Sequence, residues 1–378
     1  MNSPKITVLI VEDSPVAVII LKRILASAPM IQVVGVARTG LEALELIPQT
    51  RPQVICTDLH MPAMDGLTFT REVMARCPTP ILVISASVQA EDTTNVFELL
   101  EAGAVDVFPK PTTGLAADYE RLAQDLISKI KVLAGVKVFT RHRRAAATPL
   151  VPHRVSSLSR ASVTTPPPAP APLFPQFMVK TPPPPQTVKT AVRTIKVIAI
   201  GASTGGPQAL HTILSQLPAQ LPVPVICVQH ISDGFLQGLV NWLGYESKLP
   251  VKIAQAGEVP KAGTIYFPPE RHHLELDIQG RFVYSTAPAV GGHRPSVTVT
   301  FNSVARFYGA NAAGVLLTGM GRDGADGMQT LFQKGSLTIA QDESSCVVFG
   351  MPKEAIALGA AQYVLSIQAI APFLLPRI

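Results

Sequence analysis

The stretch VIAIGASTGGPQAL, residues 197–210, runs a short apolar strand into a glycine-flanked serine and then into a helix. An unbroken apolar run of this length predicts a strand buried on both faces, and so a sheet covered by helices on each side. Pro207 marks the helix start, because a proline in the first turn sacrifices no helical hydrogen bond. Two devices place glycines at such a junction. A G-x-S-x-G elbow exposes the hydroxyl of Ser203 on a sharp turn, whereas a phosphate cradle aims free backbone N–H groups at an anion. The motif alone does not choose between them.

Around it, KVIAIGAS, PVPVICVQH, GTIYFPP, GVLLTG and SLTIAQD read as strands with helical segments between several of them. HHLELDI and RFVYST, separated by QG, read as a hairpin, so a mixed sheet is expected within a three-layer, mostly parallel α/β domain. A serine nucleophile needs a base, since its hydroxyl is unreactive at neutral pH. His230 closes the strand VICVQH, and Asp323 follows a strand in LLTGMGRDGADG. All three groups stand at carboxyl ends of strands, where an open sheet gathers ligand-binding groups into one crevice. Asp323 is suited to fixing the tautomer of His230 and stabilising its imidazolium. The chain order Ser, His, Asp departs from the Ser, Asp, His order of α/β-hydrolases. No lysine follows GASTGG as in a Walker A loop, and no second glycine or later acid completes a dinucleotide fingerprint.

Residues 5–133 repeat the strand–helix alternation, with ITVLIVE, IQVVGVA, QVICTD, ILVISA and AVDVFPK as strands. This predicts a five-stranded, doubly wound parallel sheet. Glu12, Asp13, Asp58, Ser85 and Lys110 stand at its carboxyl edge. Converging carboxylates repel one another and suit a hard, oxygen-ligated cation such as Mg²⁺; Ser85 and Lys110 suit phosphoryl oxygens. Ser14 and Pro15 supply a cap and a first-turn proline for the helix after Asp13.

The formal net charge of +6 suggests a nucleic-acid partner until the charges are placed. Residues 1–140 carry 12 basic and 15 acidic residues, residues 196–378 carry 12 and 11, and residues 141–195 carry 8 and none. The excess therefore sits in one segment that also holds twelve prolines. That composition predicts an extended linker between two domains, not a basic face on either. The reading is residues 1–135, a linker over 136–194, and residues 195–378. Four scattered cysteines, without a CxxC pair, suit a reducing cytoplasm, and no apolar run is long enough to span a bilayer.

LIVEDSP, TDLHMPAMDG, ISAS and VFPKP resemble the receiver domain of two-component response regulators, a flavodoxin-like fold. The resemblance implies that Asp58 accepts a phosphoryl group from a sensor histidine kinase, that Glu12 and Asp13 hold Mg²⁺ with Asp58, and that Ser85 and Lys110 contact the phosphoryl oxygens. It also implies a cis bond at Lys110–Pro111 and an aromatic switch residue where this chain has Val107. IGASTGGP, VQH, RPSV and LLTGMGRDGADG resemble the catalytic domain of the chemotaxis receptor methylesterases. That resemblance implies Ser203 as nucleophile, His230 as general base and Asp323 as orienting acid. It places Thr204 beside the nucleophile and the Met320 N–H in an oxyanion hole. Thr298 stands where that family often has aspartate. The implied activity is demethylation of glutamate methyl esters, and deamidation of glutamine, on the cytoplasmic helices of chemoreceptors, with no cofactor for the ester chemistry. An unphosphorylated receiver is expected to cover the catalytic crevice. Two alternatives remain on sequence grounds. A DNA-binding regulator lacks any recognisable reader after the linker, and a non-catalytic adaptor is at odds with the presence of all three candidate residues.

Overall fold

A computed structural model describes residues 4–85, 90–111, 116–136, 138 and 194–378. The proline-rich segment expected as a linker lies outside the described residues. The first half runs β1 (Ile6–Val11), α1 (Pro15–Ala26), β2 (Ile31–Ala37), α2 (Gly40–Thr50), β3 (Val54–Thr57), α3 (Gly66–Arg76), β4 (Ile81–Ser85), α4 (Ala90–Ala102), β5 (Asp106–Pro109) and α5 (Ala116–Leu133). Its five strands are ordered β2-β1-β3-β4-β5, all parallel. The order reverses between β1 and β3, and ligands of such sheets bind beyond the strand ends at that switch. As the sequence predicts, Ser14 caps α1, its hydroxyl accepting from the Ala17 N–H, with Pro15 in the first turn.

The second half runs β6 (Val197–Ala202), α6 (Gly206–Leu214), β7 (Val225–Gln229), α7 (Leu236–Glu246), β8 (Val251–Ile253), β9 (Ile265–Phe267), β10 (His273–Leu276), β11 (Phe282–Ser285), α8 (Val297–Tyr308), β12 (Ala312–Leu316), α9 (Ala325–Gln333), β13 (Leu337–Gln341), α10 (Met351–Ala357), β14 (Tyr363–Leu365) and α11 (Ile367–Leu374). Seven strands form one sheet in the order β14-β13-β12-β6-β7-β9-β8. Every pairing in it is parallel. The sheet is not mixed, as the hairpin had implied, but wholly parallel. The hairpin β10-β11 does form, but as a separate two-stranded sheet. Ser303 Oγ and Thr300 Oγ1 of α8 tie its strand β10 to that helix.

β6, β7 and β12 are buried along their whole length, as an apolar run in a doubly covered sheet requires. β6 is the switch strand. The chain builds outward from it through β7 on one side and β12 on the other, so the crevice above it draws on loops from all three.

The two large sheets with their helices form one compact unit. An apolar cluster passes from one to the other, joining Phe97, Leu100 and Val107 to Leu210, Leu239 and Trp242. At this seam Phe97 stacks on Trp242, ring centroids 5.4 Å apart. The Trp242 indole N–H donates to Glu101 Oε1 at 2.9 Å, and Gln208 Nε2 donates to the Ala104 carbonyl at 2.7 Å. Val107 lies inside this cluster, and Phe108 points into the opposite core with Leu126 and Ile130.

Candidate active site and phosphorylation pocket

The junction after β6 has the geometry of an elbow. The Gly206 N–H donates to the Ser203 carbonyl at 2.7 Å, closing a turn, and Gly205 at φ 75 caps α6. A side chain at Gly205 would be strained in that region, and its Cβ would lie 2.6 Å from Val347. Gly206 is needed for close approach, since a Cβ there would lie 1.9 Å from Gln229 Oε1. Gln229 braces the turn from β7, donating through Nε2 to the Ser203 carbonyl at 2.8 Å. From the loop after β12, the Thr318 carbonyl accepts from the Ser203 N–H, and Thr318 Oγ1 donates to the Thr204 carbonyl at 3.0 Å.

His230 follows β7 directly, and Ala202 pairs with Gln229 in the register of β6 and β7. Ser203 and His230 are therefore next residues at the ends of neighbouring strands, which lie about 4.8 Å apart. His230 Nε2 hydrogen-bonds Asp323 Oδ2 at 2.8 Å. His230 Nδ1 is buried without a hydrogen-bond partner among the described residues. No hydrogen bond joins Ser203 Oγ to His230 among the described residues, so the direct three-way contact expected from the sequence is realised only between His230 and Asp323. Catalytic hydrogen bonds of free enzymes commonly close only around substrate.

Asp323 is enclosed by donors. Besides His230, its carboxylate accepts from Ser296 Oγ at 2.8 Å and from the backbone N–H groups of Val297, Thr298 and Gly324 at 2.8, 3.0 and 2.9 Å. Val297 and Thr298 open α8, so the carboxylate sits at a helix N-terminus, where backbone dipoles favour negative charge. Burial alone would raise its pKa. The His230 hydrogen bond and charge, with the backbone and side chain of Thr298, outweigh that and hold the carboxyl well below the usual range. Thr298 is therefore part of this cage: its Oγ1 accepts from the Gly324 N–H at 2.7 Å. Thr204 is buried beside the elbow, and Met320 is exposed on the loop between Thr318 and Asp323. The Met320 N–H makes no hydrogen bond among the described residues.

Sequence reasoning missed Thr318, Gln229 and Ser296 as braces, and gave no role to His293, which stacks on His230 with centroids 3.7 Å apart. Burial, then the charges of His230 and Lys129, push the His293 pKa down to about 4 against the pull of Asp323.

At the edge of the first sheet, Glu12, Asp13 and Asp58 each offer an oxygen, all within 4.8 Å of one another. Lys110 Nζ donates to Glu12 Oε1 at 2.9 Å and to Asp58 Oδ2 at 2.7 Å. Burial opposes its charge, but the two carboxylates prevail and raise its pKa. Burial, with the Asp58 charge adding to it, raises the Glu12 pKa. Glu12 Oε2 is buried without a hydrogen-bond partner among the described residues. An orphaned carboxylate oxygen among hard donors fits a divalent cation. Ser85 is buried at the end of β4, its carbonyl accepting from the Lys110 N–H at 2.7 Å. The expected cis bond at Lys110–Pro111 is not found; among the described residues the cis bond is Arg294–Pro295. Trans is the lower-energy form of most X–Pro bonds, and Lys110 reaches both carboxylates without the alternative.

Fold and site thus define a receiver-type carboxylate pocket joined to a parallel α/β domain that carries a serine elbow and a histidine–aspartate pair. Profile comparison matches residues 198–374 to the CheB methylesterase domain and residues 8–116 to the response regulator receiver domain. The protein-glutamate methylesterase/protein-glutamine glutaminase of Nitrosospira multiformis is 40% identical over 97% of this chain and 95% of its own length. A homologue of the same name from Hahella chejuensis is 42% identical over 97% of each chain. The crystal structure of the Thermotoga maritima CheB methylesterase catalytic domain has 39% identity, covering 49% of this chain and all of that one, with a TM-score of 0.48. The chain belongs to the CheB methylesterase family, in the form that carries an N-terminal receiver domain. The four cysteines are unpaired, and among the described residues no helix is long and apolar enough to cross a membrane.

Proposed function

We propose that this chain is a phosphorylation-controlled serine hydrolase of the cytoplasm. It removes methyl esters from glutamate side chains, and deamidates glutamines, on chemoreceptor helices. The observation that carries the reading is the His230–Asp323 bond beside the elbow, with Nδ1 of His230 buried and unpaired. Ser203 Oγ attacks the ester carbonyl as its proton passes to Nδ1. The resulting imidazolium is held through Nε2 by Asp323. The developing oxyanion takes the Met320 N–H, a type of donor whose loss typically costs about 100- to 1,000-fold in rate. Methanol leaves with the proton from His230, and water then hydrolyses the acyl-enzyme by the same exchange in reverse. An amide passes through the same kind of tetrahedral intermediate, so deamidation needs no further group. Thr204 keeps the nucleophile's carbonyl side anchored. The ester chemistry as proposed uses side chains and backbone alone.

In the receiver, Asp58 accepts the phosphoryl group from a histidine kinase. Glu12, Asp13 and Asp58 would hold Mg²⁺, whose charge offsets that of the phosphoryl oxygens. Ser85 and Lys110 receive those oxygens. Residues 1–135 act as the receiver and residues 195–378 as the hydrolase. Residues 136–194 link the two. The seam at α4, α6 and α7 is the proposed restraint: Gln208, which bonds Ala104 of the receiver, lies in the first turn after the elbow. Val347, against which Gly205 packs, also touches the receiver core.

The test is methanol release from a methylated receptor by the full chain, with and without a small phosphodonor and Mg²⁺. Phosphorylation is expected to raise the rate by about 5- to 100-fold, the usual span of allosteric coupling. Trp242, the one tryptophan of the chain, reports the same event by a red shift of its emission as its stack with Phe97 parts. Asp58→Asn is expected to lose both responses; a variant that keeps both would remove Asp58 as the acceptor. Glu101→Lys, which deletes the acceptor of the Trp242 indole, is expected to raise the unphosphorylated rate several-fold. An unchanged rate there would take the seam out of the regulation.

A further inference from the structure

The loop between β11 and α8 carries an imidazole that the proposed reaction does not use. His293 lies face to face with His230, ring centroids 3.7 Å apart and planes inclined by 4°. Its backbone is clamped on one side by a two-residue turn, in which Val290 and His293 exchange both N–H···O bonds at 3.1 and 3.0 Å. The central Gly291 and Gly292 have φ of 59° and 87°. A turn with positive φ at both central positions admits two glycines at the least conformational cost. On the other side, the Ser296 N–H donates to His273 Nδ1 at 3.1 Å, and Ser296, Val297 and Thr298 grip Asp323. One short segment therefore lays a ring over His230 and seizes the carboxylate that His230 uses.

We infer that His293 is a positioning residue for the general base, a flat plate that holds the His230 ring in the plane that keeps Nδ1 available to Ser203. The inference rests on the hydrolase reading given above. Among the described residues the His230 ring nitrogens make a single hydrogen bond, at Nε2, and one bond leaves a ring free to pivot about it. The stack removes that freedom. It also suits the charge that catalysis creates. When the Ser203 proton moves to Nδ1 as the Oγ–C bond forms, His230 becomes a cation, and an aromatic face attracts a cation only if the ring is itself uncharged. Burial keeps His293 neutral at pH 7.

Full-length His293→Ala, His293→Gln and His293→Phe are compared with the parent for methanol release, with unfolding followed by circular dichroism. Loss of the plate through Ala or Gln is expected to lower kcat by about 10- to 100-fold, the usual scale of a misoriented catalytic group, with KM within about twofold. Phe restores a flat uncharged ring and is expected to return kcat to within about threefold of the parent. A parent-like kcat in Ala and Gln, a rise confined to KM, or a Phe variant as slow as Ala would each overturn the assignment. Ser203→Ala is run alongside. If it releases methanol at a parent-like rate, the hydrolase reading fails; if its release is far below the parent while the His293 variants behave like the parent, only the positioning role fails.

Discussion

Ser203→Ala is expected to abolish methanol release from methylated receptor while leaving the fold and the phosphorylation of Asp58 intact. The substitution removes one oxygen from a side chain whose Oγ makes no hydrogen bond among the described residues, so little stability depends on it. The bonds that shape the elbow all run through the backbone: the Ser203 carbonyl to Gly206 and Gln229, and its N–H to the Thr318 carbonyl. Alanine makes every one of them. What remains is a site with donors and a base but nothing to form the acyl bond, and residual turnover in such sites is typically about 10³- to 10⁴-fold above water and far below the parent. The comparison is a single assay, with an unfolding curve and phosphodonor labelling as controls. Parent-like release by a folded, labelled variant would remove the nucleophile and with it the central assignment.

Asp323→Asn is expected to lower kcat by about 10⁴-fold, by analogy with the corresponding change in serine proteases. The amide must turn one N–H₂ group into a cage built wholly of donors: Ser296 Oγ, three backbone N–H groups and His230 Nε2. Two donors then face each other wherever the amide nitrogen lands. The imidazolium loses its counter-charge as well. Stability should fall too, by about 3 kcal/mol, since charge-assisted hydrogen bonds are replaced by unsatisfied buried N–H groups. The pH dependence carries the sign. The folded-state pKa of Asp323 lies below its unfolded value, so its contribution is fully present above about pH 4 and is lost as pH falls through the folded value. The Asn variant should therefore lose less stability on acidification than the parent. Equal acid sensitivity in both would show that Asp323 is not held as an anion.

The buried parallel strands were legible because residues such as VICT, ILVIS and VICVQ carry their apolar character without alternation. The edge strands β8 and β14 were not. VKI and YVL are three residues each and partly exposed, too short for any period to register. The hairpin was legible as a hairpin, but its exclusion from the large sheet depends on contacts with α8, which no local pattern announces. Glu12, Asp13, Asp58 and Lys110 could be placed together because strand ends in an open sheet converge. Ser203 and His230 were legible on the same rule. The cage around Asp323 was not, since its donors are mainly backbone N–H groups at the start of α8, and a backbone group leaves no signature in composition. His293 immediately precedes RPSV, but its partner is 63 positions away, and the turn at Gly291 and Gly292 brings the two rings together.

Because Ser203 and His230 are successive rungs on adjoining strands, their separation is inherited from the backbone ladder itself. Such an arrangement has no soft joint of its own. Heat should not erode turnover ahead of collapse: the temperature at which the hydrolase half falls silent should coincide with that at which its sheet comes apart.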